Sequence, residues 1–233
     1  VDMQLGRGEP IEDKARELSR MLDAIMSGSI QKEDVERLGL WSCVPVINGL
    51  SDYNHPCQAM ADALTIQEKF GNLRGKKVAF IGDGNNVAVS LMHIVTKLGG
   101  HFSIASPEGY EITTRAINAA REFASHSGSR LRFLRDPHEA VKNADVIYTD
   151  TWTSMGQEAE TQKRAAVFPP YQVNRQLVSE ANQNVIVMHC LPAHRGQEIT
   201  DEVADGPHSV LFPQAENRMH AQKGILVHLL RKA

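Results

Sequence analysis

Residues 76–105 read KKVAFIGDGNNVAVSLMHIVTKLGGHFSIA. A short apolar run, Val78 to Ile81, gives way to a glycine-rich turn, Gly82-Asp83-Gly84-Asn85-Asn86. A segment of helical period follows from Val87 to Leu98, and then a second strand-like run from Phe102 to Ala105. Strand, turn, helix and strand in that order form the βαβ unit of a parallel sheet, whose strands are buried on both faces and therefore apolar throughout. The alternation continues downstream. Further strands are expected at Leu131 to Leu134, Val146 to Thr149 and Val185 to His189, with helices at Ile112 to Ser125 and Pro137 to Lys142. The class is α/β, and the residues just beyond each strand are where ligands bind in such sheets.

Upstream, the same alternation recurs in shorter form. Helices are expected at Ile11 to Met21, near Glu33 to Leu38 and from His55 to Phe70, with strands at Ala24 to Met26 and Val44 to Ile47. The turn-rich Phe70-Gly71-Asn72-Leu73-Arg74-Gly75 separates the two halves. The expectation is two doubly wound parallel-sheet domains, 1–70 and 71–214. A last helix, Ala215 to Leu230, carries an apolar stripe at Ile225, Leu226, Leu229 and Leu230, and residues 215–233 are expected to pack back on the first domain. Val1-Asp2-Met3-Gln4-Leu5 reads like a chain joined midway, so the first domain is expected to be incomplete at its N-terminus.

Composition narrows the partners. A formal charge of −3, with both signs mixed along 233 residues, offers no basic face for nucleic acid. An apolar fraction of 42% supports a real core, and no run reaches the roughly 18 apolar residues of a membrane span. Cys43, Cys57 and Cys190 are too few and too scattered for a disulfide framework, which points to a reducing compartment, read as cytoplasm. A small-molecule substrate fits this profile, and no cofactor or metal is expected.

The chemistry-bearing residues gather at strand ends and helix starts. Gly82-Asp83-Gly84-Asn85-Asn86 would let backbone approach a ligand, but Val87 stands where a dinucleotide fingerprint needs a third glycine, and Ala105-Ser106 lacks the acidic partner of a ribose. Two asparagines suit a zwitterion better than a pyrophosphate. Asp150 either holds an ammonium group or caps its own turn. Cys190 is a nucleophile, a metal ligand or a small buried group, and His189 beside it should point to the opposite face of an extended strand, with His55 or His220 as other imidazole partners in space. His55-Pro56-Cys57-Gln58 opens a helix with an imidazole and an amide on one face, where they could hold a carbonyl oxygen gaining charge, unless His55 only caps the helix. Arg218 in Ala215-Glu216-Asn217-Arg218 is a fixed cation for an acidic substrate or a solvated surface group.

Taken in order, His55-Pro56-Cys57-Gln58 with Ala61-Asp62 and Leu64-Thr65, Gly82-Asp83-Gly84-Asn85-Asn86, Asp150-Thr151-Trp152 with Ser154-Met155-Gly156, His189-Cys190-Leu191-Pro192 and Glu216-Asn217-Arg218 resemble the ornithine carbamoyltransferases across essentially the whole chain. The resemblance implies a carbamoyl-phosphate domain and an ornithine domain with the active site between them, in a homotrimer or a multiple of trimers. It implies transfer of the carbamoyl group from carbamoyl phosphate to the side-chain amine of ornithine, giving citrulline and phosphate, as in arginine biosynthesis or the urea cycle. By the same resemblance, Asn86, Asp150, Ser154 and Met155 bind ornithine and Asp150 orients the reacting amine. His55 and Gln58 contact the carbamoyl group, Arg218 polarises it, and Cys190 with the Leu191 backbone closes the site.

Two departures stand out. The family's Ser-Thr-Arg-Thr-Arg phosphate loop has no counterpart in these residues, and Gly28 in Ser27-Gly28-Ser29 occupies the place of a further arginine. Each lost charge-assisted contact costs on the order of 1.5 to 3 kcal/mol, so weakened or absent turnover by this chain is one expectation. Two alternatives follow: a non-catalytic relative that keeps amino-acid binding, and a carbamoyltransferase for a different amine.

Overall fold

The structure, a computed structural model, describes residues 9–153 and 158–231. In chain order the elements are α1 (Ile11–Leu18), β1 (Ile25–Ile30), α2 (Lys32–Trp41), β2 (Val46–Ser51), α3 (Pro56–Phe70), β3 (Lys77–Ile81), α4 (Asn86–Lys97), β4 (His101–Ala105), α5 (Thr114–Ser127), β5 (Leu131–Leu134), α6 (Pro137–Val141), β6 (Val146–Thr149), α7 (Thr161–Val167), α8 (Arg175–Ser179), β7 (Ile186–His189), α9 (Asp201–Ala204) and α10 (Leu211–Leu230). All strand pairs are parallel. The larger sheet has the order β5-β4-β3-β6-β7, and β1 pairs with β2 separately. The order reverses direction between β3 and β6, the switch point at which open α/β sheets bind ligands.

Both faces of the larger sheet are covered, and this explains the unbroken apolar strands. Val78, Phe80, Phe102, Ile104, Val146, Tyr148 and Met188 pack on one side with Leu91, Met92 and Val95 of α4 and Ala116 and Ala120 of α5. Ala79, Ile81, Ile147 and Val187 pack on the other with Ala140 and Val141 of α6 and Leu177 and Val178 of α8. Each such aliphatic or aromatic side chain contributes about 1.5 to 3 kcal/mol by leaving water. Asn85 starts α4 by accepting the Val87 and Ala88 N–H groups at 3.1 and 3.0 Å, a side-chain N-cap.

Three expectations need correction. Gly84 is required by packing rather than by a ligand: a Cβ there would lie 2.2 Å from the Ile112 nitrogen, because the turn is pressed against Glu111 and Ile112. The last helix begins at Leu211, four residues before the expected Ala215, since Pro213 is tolerated in a first turn. Its buried residues are Leu211, Gln214 and Asn217, while Leu226, Leu229 and Leu230 of the expected stripe are exposed. Polar groups bind this helix to α3: Asn217 Nδ2 donates to Thr65 Oγ1 at 3.0 Å and Glu68 Oε2 at 2.7 Å. Helices α7, α8 and α9, of four to seven residues, are too short to show a period in sequence.

Candidate active site

A cleft forms where the N-terminal end of α3 and the first turns of α10 meet the carboxyl ends of β3, β6 and β7. From α3 come His55 and Gln58. The His55 side chain makes no capping hydrogen bond, which removes the capping reading. Its backbone N–H donates to Ser90 Oγ at 2.7 Å, tying the start of α3 to α4. Burial holds the imidazole pKa down to about 4, Arg218 lowers it further in the same direction, and Asp150 partly opposes both. The ring is therefore neutral at pH 7, with a buried Nδ1 that has no protein partner.

Gln58 is buried, and its Oε1 accepts from Arg218 Nη1 at 2.7 Å while its Nε2 donates to Asp62 Oδ1 at 2.8 Å. Arg218 is thus engaged inside rather than solvated, and its Nε remains buried and unpartnered. Asp62, fully buried, has its carboxyl pKa pushed up to about 7 by desolvation, against the hydrogen bonds from Gln58 and Gln214 that favour the carboxylate.

Asp150 follows β6, and among the described residues its carboxylate binds side chains from other segments rather than its own turn. Its Oδ2 accepts from Asn85 Nδ2 at 2.7 Å and its Oδ1 from the Cys190 thiol at 2.8 Å. Burial, then the Asp150 charge, raises the Cys190 pKa well above the usual thiol range, so it is a protonated hydrogen-bond donor and a poor nucleophile. Asn86 donates its amide to the Ser51 carbonyl at 2.8 Å, leaving its oxygen as the group available to a ligand. Ser154 and Met155 lie outside the described residues.

His189 behaves differently from the expectation of opposite faces. The strand stops at His189, Leu191 turns with φ of 56°, and the alternation of an extended chain no longer applies. The ligand-bearing atoms of Asp150, His189 and Cys190 come within 4.8 Å of one another. Yet His189 Nδ1 accepts the Leu191 N–H at 2.8 Å and its Nε2 faces Glu198 Oε1 at 3.1 Å, so a metal would have to displace hydrogen bonds at every member of the group. The Leu191 N–H is likewise engaged within the turn, and the turn itself, rather than that amide, borders the cleft. His220 is exposed and faces Glu216.

Sequence reasoning passed over three residues that hold this arrangement, Gln214, Glu198 and Arg164, and read a fourth, Asn85, as a ligand contact. Asn85 both caps α4 and pins Asp150. Gln214 joins Asp62 to the β7 backbone. Glu198 accepts from the His194 N–H and fixes His189. Arg164, buried on α7, donates to Asp83 Oδ2 at 2.6 Å and to the Trp152 carbonyl at 2.8 Å. Asn85 stood inside a quoted motif, whereas Gln214, Glu198 and Arg164 carry no local signal. A separate cavity of about 460 Å³, lined by Lys77, Arg130, Arg132 and Lys142, sits at the opposite, amino-terminal end of the strands and touches none of these groups.

Comparison with known proteins places these features in context. Residues 1–68 match the family described as aspartate/ornithine carbamoyltransferase, carbamoyl-P binding domain, and residues 74–229 match the Asp/Orn binding domain of the same description. An ornithine carbamoyltransferase of Bacillus subtilis is 57% identical over 231 residues, covering 99% of this chain and 72% of that protein. One from Thermococcus kodakarensis is 56% identical over 225 residues, covering 97% and 71%. The solved ornithine carbamoyltransferase of Pyrococcus furiosus superimposes with a TM-score of 0.96 at 55% identity, over 100% of this chain and 74% of that one.

Proposed function

The chain belongs to the aspartate/ornithine carbamoyltransferase family, and on that premise we propose that its cleft transfers the carbamoyl group of carbamoyl phosphate to the side-chain amine of ornithine, yielding citrulline and phosphate. The observation that carries this reading is the hydrogen-bonded chain that joins Arg218 of α10 and Gln58 of α3, through Asp62 and Gln214, to the end of β7, where the Cys190 thiol donates to Asp150. Residues 1–70, with the last helix against α3, form the carbamoyl-phosphate side; residues 71–214 form the ornithine side.

Asp150, held by Asn85 and Cys190, keeps lone pairs for the ornithine amine and aims its nitrogen at the carbamoyl carbon. Asn86, Ser154 and Met155 hold the amino-acid end. His55, as a neutral N–H donor, and Arg218 face the carbonyl oxygen, where charge develops as the C–N bond forms. Collapse of the tetrahedral intermediate breaks the carbon–oxygen bond to phosphate, and a proton shed by the amine leaves with that phosphate. Gln58 takes the carbamoyl amino group, and the Cys190-Leu191 turn closes over it. No step needs a cofactor.

Support for finer assignments is physical. All three cysteines are free thiols, which suits the cytoplasm, and no helix among the described residues is long and apolar enough to cross a membrane. Met21, Leu40 and Trp41 expose large apolar surfaces on the smaller-sheet side, as a homotrimer contact would require. Gly28 favours the second reading, a binding protein without turnover, because no cation stands there. The deciding experiment is citrulline formation by the full-length gene product from ornithine and carbamoyl phosphate: turnover supports the enzyme, and ornithine binding with no turnover supports the alternative.

A further inference from the structure

An amide side chain has two ends of opposite polarity and similar shape, so a glutamine at a reactive site offers a donor or an acceptor according to how it is turned. At Gln58 both ends are committed. Its Oε1 accepts from Arg218 Nη1 at 2.7 Å, and its Nε2 donates to Asp62 Oδ1 at 2.8 Å. Guanidinium is a donor only, and Asp62 Oδ1, which accepts from Gln214 Nε2 as well, serves as an acceptor even when the other carboxyl oxygen carries a proton. Turning the amide over would set two donors face to face and two acceptors face to face, in a place where Gln58 and Asp62 are each 1% exposed and water cannot relieve the mismatch.

Asp62 is itself held in register. Its Oδ1 also accepts from Gln214 Nε2 at 2.7 Å, and Gln214 Oε1 accepts the backbone N–H of His189 at 2.9 Å. A backbone N–H has only one polarity, so the direction of every bond from β7 through α10 to α3 is fixed. The chain runs from the strand end that carries Cys190 to the helix start that carries His55, by way of α10.

We propose that Asp62 is a positioning residue that turns the Gln58 carbonyl oxygen toward the cleft, so that the site demands an N–H donor on the group being transferred. This rests on the carbamoyl-transfer reading. A carbamoyl group carries NH2 beside its carbonyl; an acetyl group of nearly the same shape carries CH3 and leaves the second lone pair of Gln58 Oε1 unmet. Sites built to hydrogen-bond a polar group reject analogues that lack it far more strongly than apolar pockets reject a size change. Asp62 would therefore act on donor choice and leave the ornithine side alone.

The test uses full-length protein and two pairs of variants. Asp62→Leu removes the acceptor, and Asp62→Asn keeps an oxygen that can accept from Gln58 and Gln214. For D62L the expected result is a rise of about tenfold in KM for carbamoyl phosphate, with the ornithine KM within about twofold of wild type and weaker discrimination against acetyl phosphate as a competitive inhibitor; D62N should recover most of the loss. Because leucine could cost the fold, the second pair is Gln58→Glu, which sets an acceptor against Asp62, and Q58E with D62N, which restores a donor opposite an acceptor. The double variant should regain carbamoyl-phosphate affinity that Q58E loses. Equal movement of both substrate KM values in D62L, unchanged discrimination, or a double variant no better than Q58E overturns the proposal. A wild type that forms no citrulline overturns the parent reading, and this one with it; citrulline formation with any of the preceding results removes this one alone.

Discussion

Cys190 donates its thiol proton to Asp150 Oδ1 across 2.8 Å, so the sulfur serves the carboxylate and not the substrate carbon. Burial and then the Asp150 charge keep that thiol protonated. Asp150→Asn removes the negative charge and should lower the thiol pKa. Alkylation of Cys190 by iodoacetamide at pH 7.5, followed by mass spectrometry, is expected to be slow in the wild type and faster in D150N. Equal rates would dissociate the pair.

His55 should stay neutral through the physiological range. Its folded pKa, about 4, lies below the ordinary value of 6.5, so the neutral form is the one that the fold favours. The associated stability is fully present above about 6.5 and is lost as pH falls through 6.5 toward 4. A ring-nitrogen NMR titration is expected to show no His55 transition above pH 5. His55→Ala, which removes an oxyanion donor, should lower kcat by roughly 100-fold or more. A midpoint near 6.5 would contradict the burial argument.

Asp62 has the reverse sign. Its folded pKa, about 7, lies above the ordinary carboxylate value of 3.8, so the buried charge costs stability progressively as pH rises from about 4 to about 7. Asp62→Asn carries no such charge. Melting curves should therefore show D62N gaining on wild type over that interval, and parallel curves would show that Asp62 does not titrate there.

Arg164 ties the far side of the cleft together. It joins the turn after β3 through Asp83 and the chain after β6 through the Trp152 carbonyl, and both ends of the pair are buried. Removing one partner of a buried ion pair leaves an uncompensated charge and costs about 3 to 5 kcal/mol. Arg164→Leu should destabilise on that scale in urea unfolding and raise the ornithine KM, because the Trp152 carbonyl and Asp83, on the two segments that lead from β6 and β3, lose their shared partner. Adding Asp83→Asn is expected to restore part of the stability; a strictly additive double variant would refute the pairing.

Gly28 has room for a Cβ. Among the described residues a Cβ there meets only Leu50, at 3.9 Å, at an irregularity in the β1–β2 register. Gly28→Arg adds the cation that the family resemblance leads one to expect at this place, and a charge-assisted contact of about 1.5 to 3 kcal/mol corresponds to a ten- to hundredfold lower KM for carbamoyl phosphate. An unchanged KM would show that the position does not reach the phosphate.

Much of the fold was legible because local chemistry repeats. The runs Leu131 to Leu134 and Val146 to Thr149 coincide with β5 and β6; β6 is buried at every position and reads as a continuous run, whereas β5, at the sheet edge, is legible from its leucines and phenylalanine although Arg132 and Phe133 are exposed. His55, Gln58, Asp150 and Cys190 could be singled out because each follows a strand or opens a helix, and that position is readable from the chain alone; Arg218 was singled out at an expected helix start, whereas α10 begins seven residues earlier, at Leu211. The pairings among them were not. Gln58 meets Arg218 across 160 positions and Asp62 meets Gln214 across 152, and no periodicity records which side chains fold onto each other at such separations. The sequence determined which polar residues stand beside strand ends and helix starts. Only the tertiary structure decided their protonation and polarity, because these depend on burial and on partners brought from distant segments: the neutral His55, the protonated thiol of Cys190, and the direction in which Gln58 points its oxygen.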